Sequence, residues 1–181
     1  MKKCRSGRFI VLLLVIFFIL TISAHATQYN RGSDSLGHRL IYDSDLNITW
    51  YDYTQSQANW QTQMNWADGL DVDFNGTHYT DWRLPSTVDG PEVYGYDGTT
   101  TAGFNITSSE MGHLYYTELG NLGEWAIDGT NFPPGYGLKN VGDFQNLQQY
   151  AYWSGTQYAA YTGLAWYLNL PNGYQGTANK D

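Results

Sequence analysis

The amino-acid sequence predicts an α+β fold, in which two short helices are set between groups of short strands. Two segments begin with a hydroxyl residue followed three positions later by Gln or Glu, which is the capping box that opens helices. Residues 164–170 alternate between apolar and mixed side chains, as a half-buried strand does. Clusters of Gly, Pro, Asn and Asp separate these segments, and 181 residues suit a single domain.

Residues 1–26 have the features of a signal peptide. A basic start precedes an apolar run at 9–22, and Ala-His-Ala at 24–26 is a small-x-small cleavage site. The run is shorter than the roughly 20 residues of a membrane span, which disfavours the alternative of an uncleaved anchor. Cleavage would remove Cys4, the single cysteine, so no disulfide is expected. We therefore expect an exported protein, periplasmic or extracellular.

The charge balance limits the possible partners. Five basic residues and all 17 acids follow residue 26, which gives that part a net charge of -12. Nucleic acids and anionic membrane surfaces would repel such a protein. We expect no nucleic-acid partner, and membrane contact only through the signal peptide if it stays uncleaved.

The first half of the exported part predicts a hairpin and one helix. Residues 27–37 are polar and are expected to be flexible. Strands at 39–42 and 47–51 flank an Asp-Ser-Asp turn. A capping box at residues 54–57 opens a helix expected over 56–68. Residues 79–84 are expected to be extended.

The second half predicts another helix between two long loops. A capping box at 107–110 opens it, and an apolar face of Met111, Leu114, Tyr115 and Leu119 follows before Gly120 ends it. The flanking stretches 86–105 and 129–143 are rich in Gly and lack a helical or strand period. Long loops within a compact domain are often functional.

The C-terminal part predicts three strands. Candidates lie at 150–154, 164–170 and 174–178. Pro-Asn-Gly at 171–173 joins the last two as a turn. Together with the earlier elements, these strands complete the α+β prediction.

Three motifs resemble the Lcl C-terminal-like domain family of exported bacterial proteins. They are DWRLPS at 81–86, YWSGT at 152–156 and AWYLN at 165–169, in the family's order and spacing, after a similar start at 40–50. The resemblance covers about residues 37–176, and we assign the domain to 38–181. The signature residues are Asp81, Trp82, Arg83, Leu84, Pro85, Trp153 and Trp166.

The resemblance implies a C-type lectin-like fold, with two helices, small antiparallel sheets and long loops. The founding member is the tail of a collagen-like adhesin that binds sulfated glycosaminoglycans, and most members have no assigned activity. Members end in a further strand, so we expect this chain to lack its last strand and to have an unpaired sheet edge. The calcium-binding triplets of sugar-binding lectins are absent from the sequence.

Metal and catalytic sites are not expected. Asp71, Asp73 and Asn75 match the opening of an EF-hand calcium loop, but Trp82 stands where the bidentate Glu should be. We favour an Asn-Gly turn between two short strands. His38, His78 and His113 lack a metal-binding spacing. No nucleophile motif occurs in the sequence. A catalytic pair of carboxylates among the 17 acids remains an alternative, because their spacing singles none out. We expect no cofactor.

The sequence therefore predicts a non-catalytic recognition or adhesion module that binds a neutral glycan or a protein partner through its aromatic loops. Packing of these rings within their own loops is an equal alternative. A secreted carboxylate-dependent hydrolase and a ligand-free truncated structural domain also remain open. The signature residues are expected to form the scaffold, with Trp82 and Leu84 inside and Arg83 holding a carboxylate or carbonyls. The candidate ligand-binding residues are Tyr94, Tyr96, Asp97, Phe104, Trp125, Phe132 and Tyr136.

Overall fold

The computed structural model describes residues 28–181 and begins with a three-stranded antiparallel sheet. Strands β1 (Gln28–Ser33), β2 (Arg39–Asp43) and β3 (Ile48–Asp52) lie in that order. The predicted hairpin is confirmed as β2 and β3. Part of the segment expected to be flexible, 27–37, is strand β1, which pairs with β2. Its side chains are mostly exposed, so it carries no apolar pattern. The predicted signal peptide lies outside the described residues.

The first helix, α1 (Trp60–Asp68), begins four residues later than predicted and ends at Gly69. Its N-cap is Asn59, whose side chain accepts a hydrogen bond from the Thr62 amide. Thr54, which opens the predicted capping box, donates instead to the Asn146 carbonyl. The cap is therefore Asn59 rather than Thr54, and residues 53–59 have no regular secondary structure.

A short hairpin follows, made of β4 (Val72–Phe74) and β5 (Thr77–Tyr79). Asn75 and Gly76 form its turn with φ of 53° and 77°, the left-handed values that favour Asn and Gly. The Asn-Gly turn is confirmed, and the helix that should follow an EF-hand loop is replaced by β5 and an irregular stretch. Of the stretch 79–84, expected to be extended, only Tyr79 lies in a strand, and residues 80–84 belong to no regular element.

The second helix changes type along its length. Ser109 caps α2 (Glu110–Gly112), which continues as a π-helix, π1 (His113–Glu118). The Leu119 amide donates to the Leu114 carbonyl, a bond five residues back along the chain. The predicted apolar face is confirmed as buried: Met111, Leu114, Tyr115 and Leu119.

The remaining strands form a five-stranded sheet in the order β6-β7-β10-β9-β8. The predicted C-terminal strands are confirmed as β8 (Ala151–Gln157), β9 (Leu164–Asn169) and β10 (Tyr174–Asn179). The stretch 86–105 adds two short strands, β6 (Tyr94–Gly95) and β7 (Ala102–Gly103), paired in parallel. Strand β10 lies between β9 and β7, and β6 and β8 form the edges of this sheet.

The core lies where π1 packs between the two larger sheets. One buried cluster centres on Tyr115 and Leu168, and a second on Ile41 and Leu114. Half-buried Trp50 contacts both clusters and therefore links the sheets. The α+β prediction is confirmed. Within residues 28–181, no helix combines the length and apolar character needed to cross a membrane.

Candidate functional site

A cleft of about 1200 Å³ opens beside this core. Its walls come from four parts of the chain: residues 47–59, helix α1, residues 79–85, and the stretch 144–153. Residues of β9 and α2 also line it. Segments far apart in sequence therefore meet around one space, on a frame of strands and a helix.

Aromatic side chains dominate the walls of the cleft. Tyr53, Tyr79 and Tyr150 are 38%, 42% and 51% exposed, so these rings face solvent while lining the cleft. Large exposed rings beside a concave surface are typical of ligand sites rather than of a solvated surface. Ten lining residues are Trp or Tyr: Trp50, Tyr51, Tyr53, Trp66, Tyr79, Trp82, Tyr150, Tyr152, Trp153 and Tyr167.

Several of these rings form a continuous stack at one end of the cleft. Tyr53 stacks on Trp66 and on Tyr51, with centroid distances of 5.7 and 5.9 Å. Tyr51 also contacts Trp82 at 5.4 Å. The Tyr51 hydroxyl donates to Asp34 Oδ2 over 2.7 Å. Burial and this bond to Asp34 raise the pKa of Tyr51, so its hydroxyl remains a neutral donor and the stack is held in place.

The charged groups of the cleft are largely engaged with the protein itself. Arg83 donates from Nη1 and Nη2 to the two carboxylate oxygens of Glu110, over 2.7 and 2.6 Å. Burial acts to raise the pKa of Glu110, but hydrogen bonds from Arg83 and Ser86 outweigh it and lower that pKa. Asp52 accepts from the amides of residues 145 and 146. Asp81 and Asp181 also line the cleft, and the other groups facing the space are mainly rings and amides.

The signature segment lines this cleft. The prediction for Arg83 is confirmed, since it holds the Glu110 carboxylate. Trp82 and Leu84, expected inside the core, are half-buried and lie in the cleft wall. Trp153 is also half-buried there, whereas Trp166 is fully buried and donates to Asp89 Oδ1. The signature is therefore both scaffold and cleft wall.

The candidate loop residues lie outside the cleft and form separate pairs. Tyr96 stacks on Trp125 at 5.8 Å, and Phe132 contacts Tyr136 at 5.4 Å. Asn105 Nδ2 donates to the carbonyls of both Tyr96 and Trp125, which holds the two loops together.

Three other residues of the candidate set take different positions. Tyr94 is 57% exposed, and Asp97 accepts hydrogen bonds from Thr99 in its own turn. Phe104 is only 4% exposed, so its assignment as a ligand-binding residue is wrong. It follows β7, and its ring packs edge-on against Tyr94 and Tyr174.

Potential metal ligands also lie outside the cleft. Asp71 and Asp73 are placed by the β4–β5 hairpin, where Asp71 pairs with His78 and Asp73 caps the turn at Gly76. A second group, Asp43, His113 and Glu118, lies between the end of β2 and π1. Sequence spacing missed that group because its members come from both halves of the chain.

Comparison of the chain with protein-family models, with curated proteins and with solved structures returned no match.

Proposed function

We propose that this chain is an exported, non-catalytic recognition module that binds a neutral glycan in the aromatic cleft. The observation that carries the proposal is the set of ten Trp and Tyr residues around one space of about 1200 Å³. The proposal includes membership of the Lcl C-terminal-like domain family and a C-type lectin-like fold, for which the motifs at 81–86, 152–156 and 165–169 are the support.

The chemistry of the cleft favours a sugar chain. Aromatic faces pack against the apolar faces of sugar rings, while side-chain amides bond to hydroxyl groups. Asn59, Gln63 and Asn146 line the cleft, and each uses one side-chain amide atom in a bond within the protein, which leaves the other atom for a ligand. The volume exceeds the range of about 300–1,000 Å³ usual for small-molecule sites, which favours an oligosaccharide of several rings.

The charge of the chain favours a neutral glycan. With a net charge of -12 after residue 26, sulfated or uronic-acid chains would be repelled. Among the basic residues of the cleft, Arg83 is already paired with Glu110. The adhesin's polyanion ligand is therefore not part of this proposal.

Two of the four carboxylates that line the cleft, those of Glu110 and Asp52, do not suit the hydrolase alternative. A glycosidase needs one carboxyl group with a raised pKa to protonate the leaving group. The pKa of Glu110 is lowered by its hydrogen bonds, so it stays ionised at neutral pH. Asp52 accepts two backbone amides and is 2% exposed, so it does not reach a ligand.

A glycan array tests the proposal with matched variants. The protein expressed from the full chain should bind neutral oligosaccharides, and Tyr53→Ala or Tyr150→Ala should weaken binding at least tenfold, about 1.4 kcal/mol for a lost stacking contact. Tyr96→Ala removes an exposed ring of the loop pair and should leave binding unchanged.

Two results would contradict this assignment. Loss of binding in Tyr96→Ala alone would move the site to the aromatic loops. No binding by the folded wild-type protein to any glycan would remove the proposed function.

A further inference from the structure

The end of strand β2 and helix π1 meet at a group of side chains that the cleft does not use. Asp43, His113 and Glu118 each bring a potential metal-ligating atom to this place, and the three atoms lie within 4.8 Å of one another. Asp43 is fully buried, and the side chains of Glu118 and His113 are 1% and 17% exposed. Asp45 lies at the rim, with its Oδ2 3.9 Å from His113 Nε2.

The π-helical backbone brings two of these residues together. In an α-helix, residues five positions apart point about 140° away from each other, given 3.6 residues per turn. In π1 the bond from the Leu119 amide to the Leu114 carbonyl widens the turn. His113 Nε2 then lies 3.2 Å from Glu118 Oε1. Such π-helical turns are rare and occur frequently at functional sites.

Asp43 is held rigidly at this place. Its Oδ1 accepts the amides of Asp45 and Leu46, over 3.1 and 3.0 Å, and its Oδ2 accepts the Trp50 indole N–H over 3.3 Å. Each carboxylate oxygen has two lone pairs, so Asp43 retains acceptor capacity toward the group. A ligand that is positioned by other hydrogen bonds is typical of metal sites.

Glu118 is the residue whose bonding is incomplete. Its Oε2 is buried and has no hydrogen-bond partner within residues 28–181. A buried polar atom of this kind is costly unless another group satisfies it. His113 is the only basic side chain of the described region within ion-pair distance of these carboxylates. One histidine faces Glu118, Asp43 and Asp45, so negative charge is in excess.

We propose that Asp43, His113 and Glu118 bind a divalent transition-metal ion of the Zn²⁺ or Mn²⁺ class, with Asp45 as a further ligand at the open side. Imidazole suits Zn²⁺, and carboxylates suit Mn²⁺ as well. Zn²⁺ holds such ligands at about 2.0–2.2 Å, so two neighbours in a tetrahedral site lie roughly 3.3 Å apart. Ca²⁺ fits less well, because it takes six to eight oxygen ligands. The ion would join the end of β2 to π1.

Metal titration of the full-chain protein tests this site. After treatment with a chelator, isothermal titration with Zn²⁺ and Mn²⁺ should show one ion per chain, together with a raised melting temperature. Glu118→Gln keeps the shape of the side chain but removes its charge, and should weaken the binding more than about 100-fold, beyond the effect of outer-shell changes. Circular dichroism checks that the variant is folded.

Asp71→Asn is the matched control, because Asp71 pairs with an exposed histidine in the β4–β5 hairpin. It should leave metal affinity unchanged. Absence of binding to the wild-type protein, with either ion in excess, would overturn the proposal whatever the variants do. Equal affinity in Glu118→Gln would overturn it as well, and loss in Asp71→Asn alone would place the ion at the hairpin instead.

Discussion

Replacing Arg83 by Ala tests how the signature segment is fixed to the second helix. The substitution removes two charge-assisted hydrogen bonds to Glu110, of 2.7 and 2.6 Å. Such bonds are worth about 1.5–3 kcal/mol each, but the Arg83 side chain is 54% exposed and water screens the pair. Glu110, at 15% exposed, keeps its bond from the Ser86 amide. We expect a loss of about 2 kcal/mol in the free energy of unfolding.

The pH dependence of that loss is the sharper part of this prediction. The pKa of Glu110 lies below its ordinary value of 4.5 in the folded protein. The ionised carboxylate therefore stabilises the fold above pH 4.5, and this contribution disappears as the pH falls through the lowered pKa. Urea unfolding followed by tryptophan fluorescence should show the full difference at pH 7 and a shrinking one below pH 4.5.

Arg39→Ala is the control, because Arg39 donates to the Asp143 carbonyl rather than to a carboxylate. Its effect should not change across the same pH range. The reasoning would be refuted if Arg83→Ala unfolds at the wild-type urea concentration at pH 7, or if its deficit stays constant as Glu110 is protonated.

Three further substitutions, two of them with a matched control, test the packing of the fold by urea or thermal unfolding. Asp52→Asn should lower the free energy of unfolding by about 1–3 kcal/mol, because one of the two backbone N–H groups that donate to Asp52, at 145 and 146, would then face the N–H₂ of Asn. An unchanged midpoint of unfolding would contradict the role of Asp52 in holding the cleft wall. Trp166→Phe should lower the free energy of unfolding by about 2–3 kcal/mol, because it leaves a buried void and removes the hydrogen bond to Asp89. Its control is Trp125→Phe, at a half-buried position, which should cost less than about 1 kcal/mol. Gly103→Ala would put a Cβ 1.8 Å from the Gly95 carbonyl oxygen and should prevent β6 from pairing. Its control is Gly37→Ala, which has open space around it and should cost only about 1 kcal/mol for its positive φ. Equal effects of the two substitutions would show that the close approach of Gly103 to Gly95 is unimportant.

The elements that the sequence predicts correctly are those whose signals are local. The β9–β10 hairpin follows from alternation and a Pro-Asn-Gly turn, and the β4–β5 turn follows from Asn75 and Gly76, which adopt the left-handed backbone that these residue types tolerate. The buried face around Tyr115 follows from helical spacing. In each case the residues that decide the structure lie within about ten positions of one another.

The elements that the sequence misses depend on distant partners. Strand β1 exists because its backbone pairs with β2, and its exposed side chains give no pattern. The predicted cap Thr54 bonds to the Asn146 carbonyl, almost a hundred residues away, and helix α1 starts at Trp60, where Asn59 is the cap. Pairing of His113 with Glu118 requires a π-helical turn, which the ordinary i,i+4 spacing rule does not anticipate.

The candidate site shows the same division. The aromatic residues in and near the Gly-rich loops predict a binding site at Tyr96 and Trp125. These two rings stack on each other, but they lie outside the cleft. The cleft is assembled from Tyr53, Trp82 and Tyr150, which lie in three separate segments. No period or spacing in the sequence joins these segments, so only the tertiary structure brings their rings together.

A crystal structure of the protein with its best-bound neutral oligosaccharide tests the central proposal most directly. The cleft assignment predicts sugar rings packed against Tyr53 and Tyr150, with hydroxyl groups bonded to amides such as Asn146. A sugar chain lying on Tyr96 and Trp125, with the cleft unchanged, would contradict it.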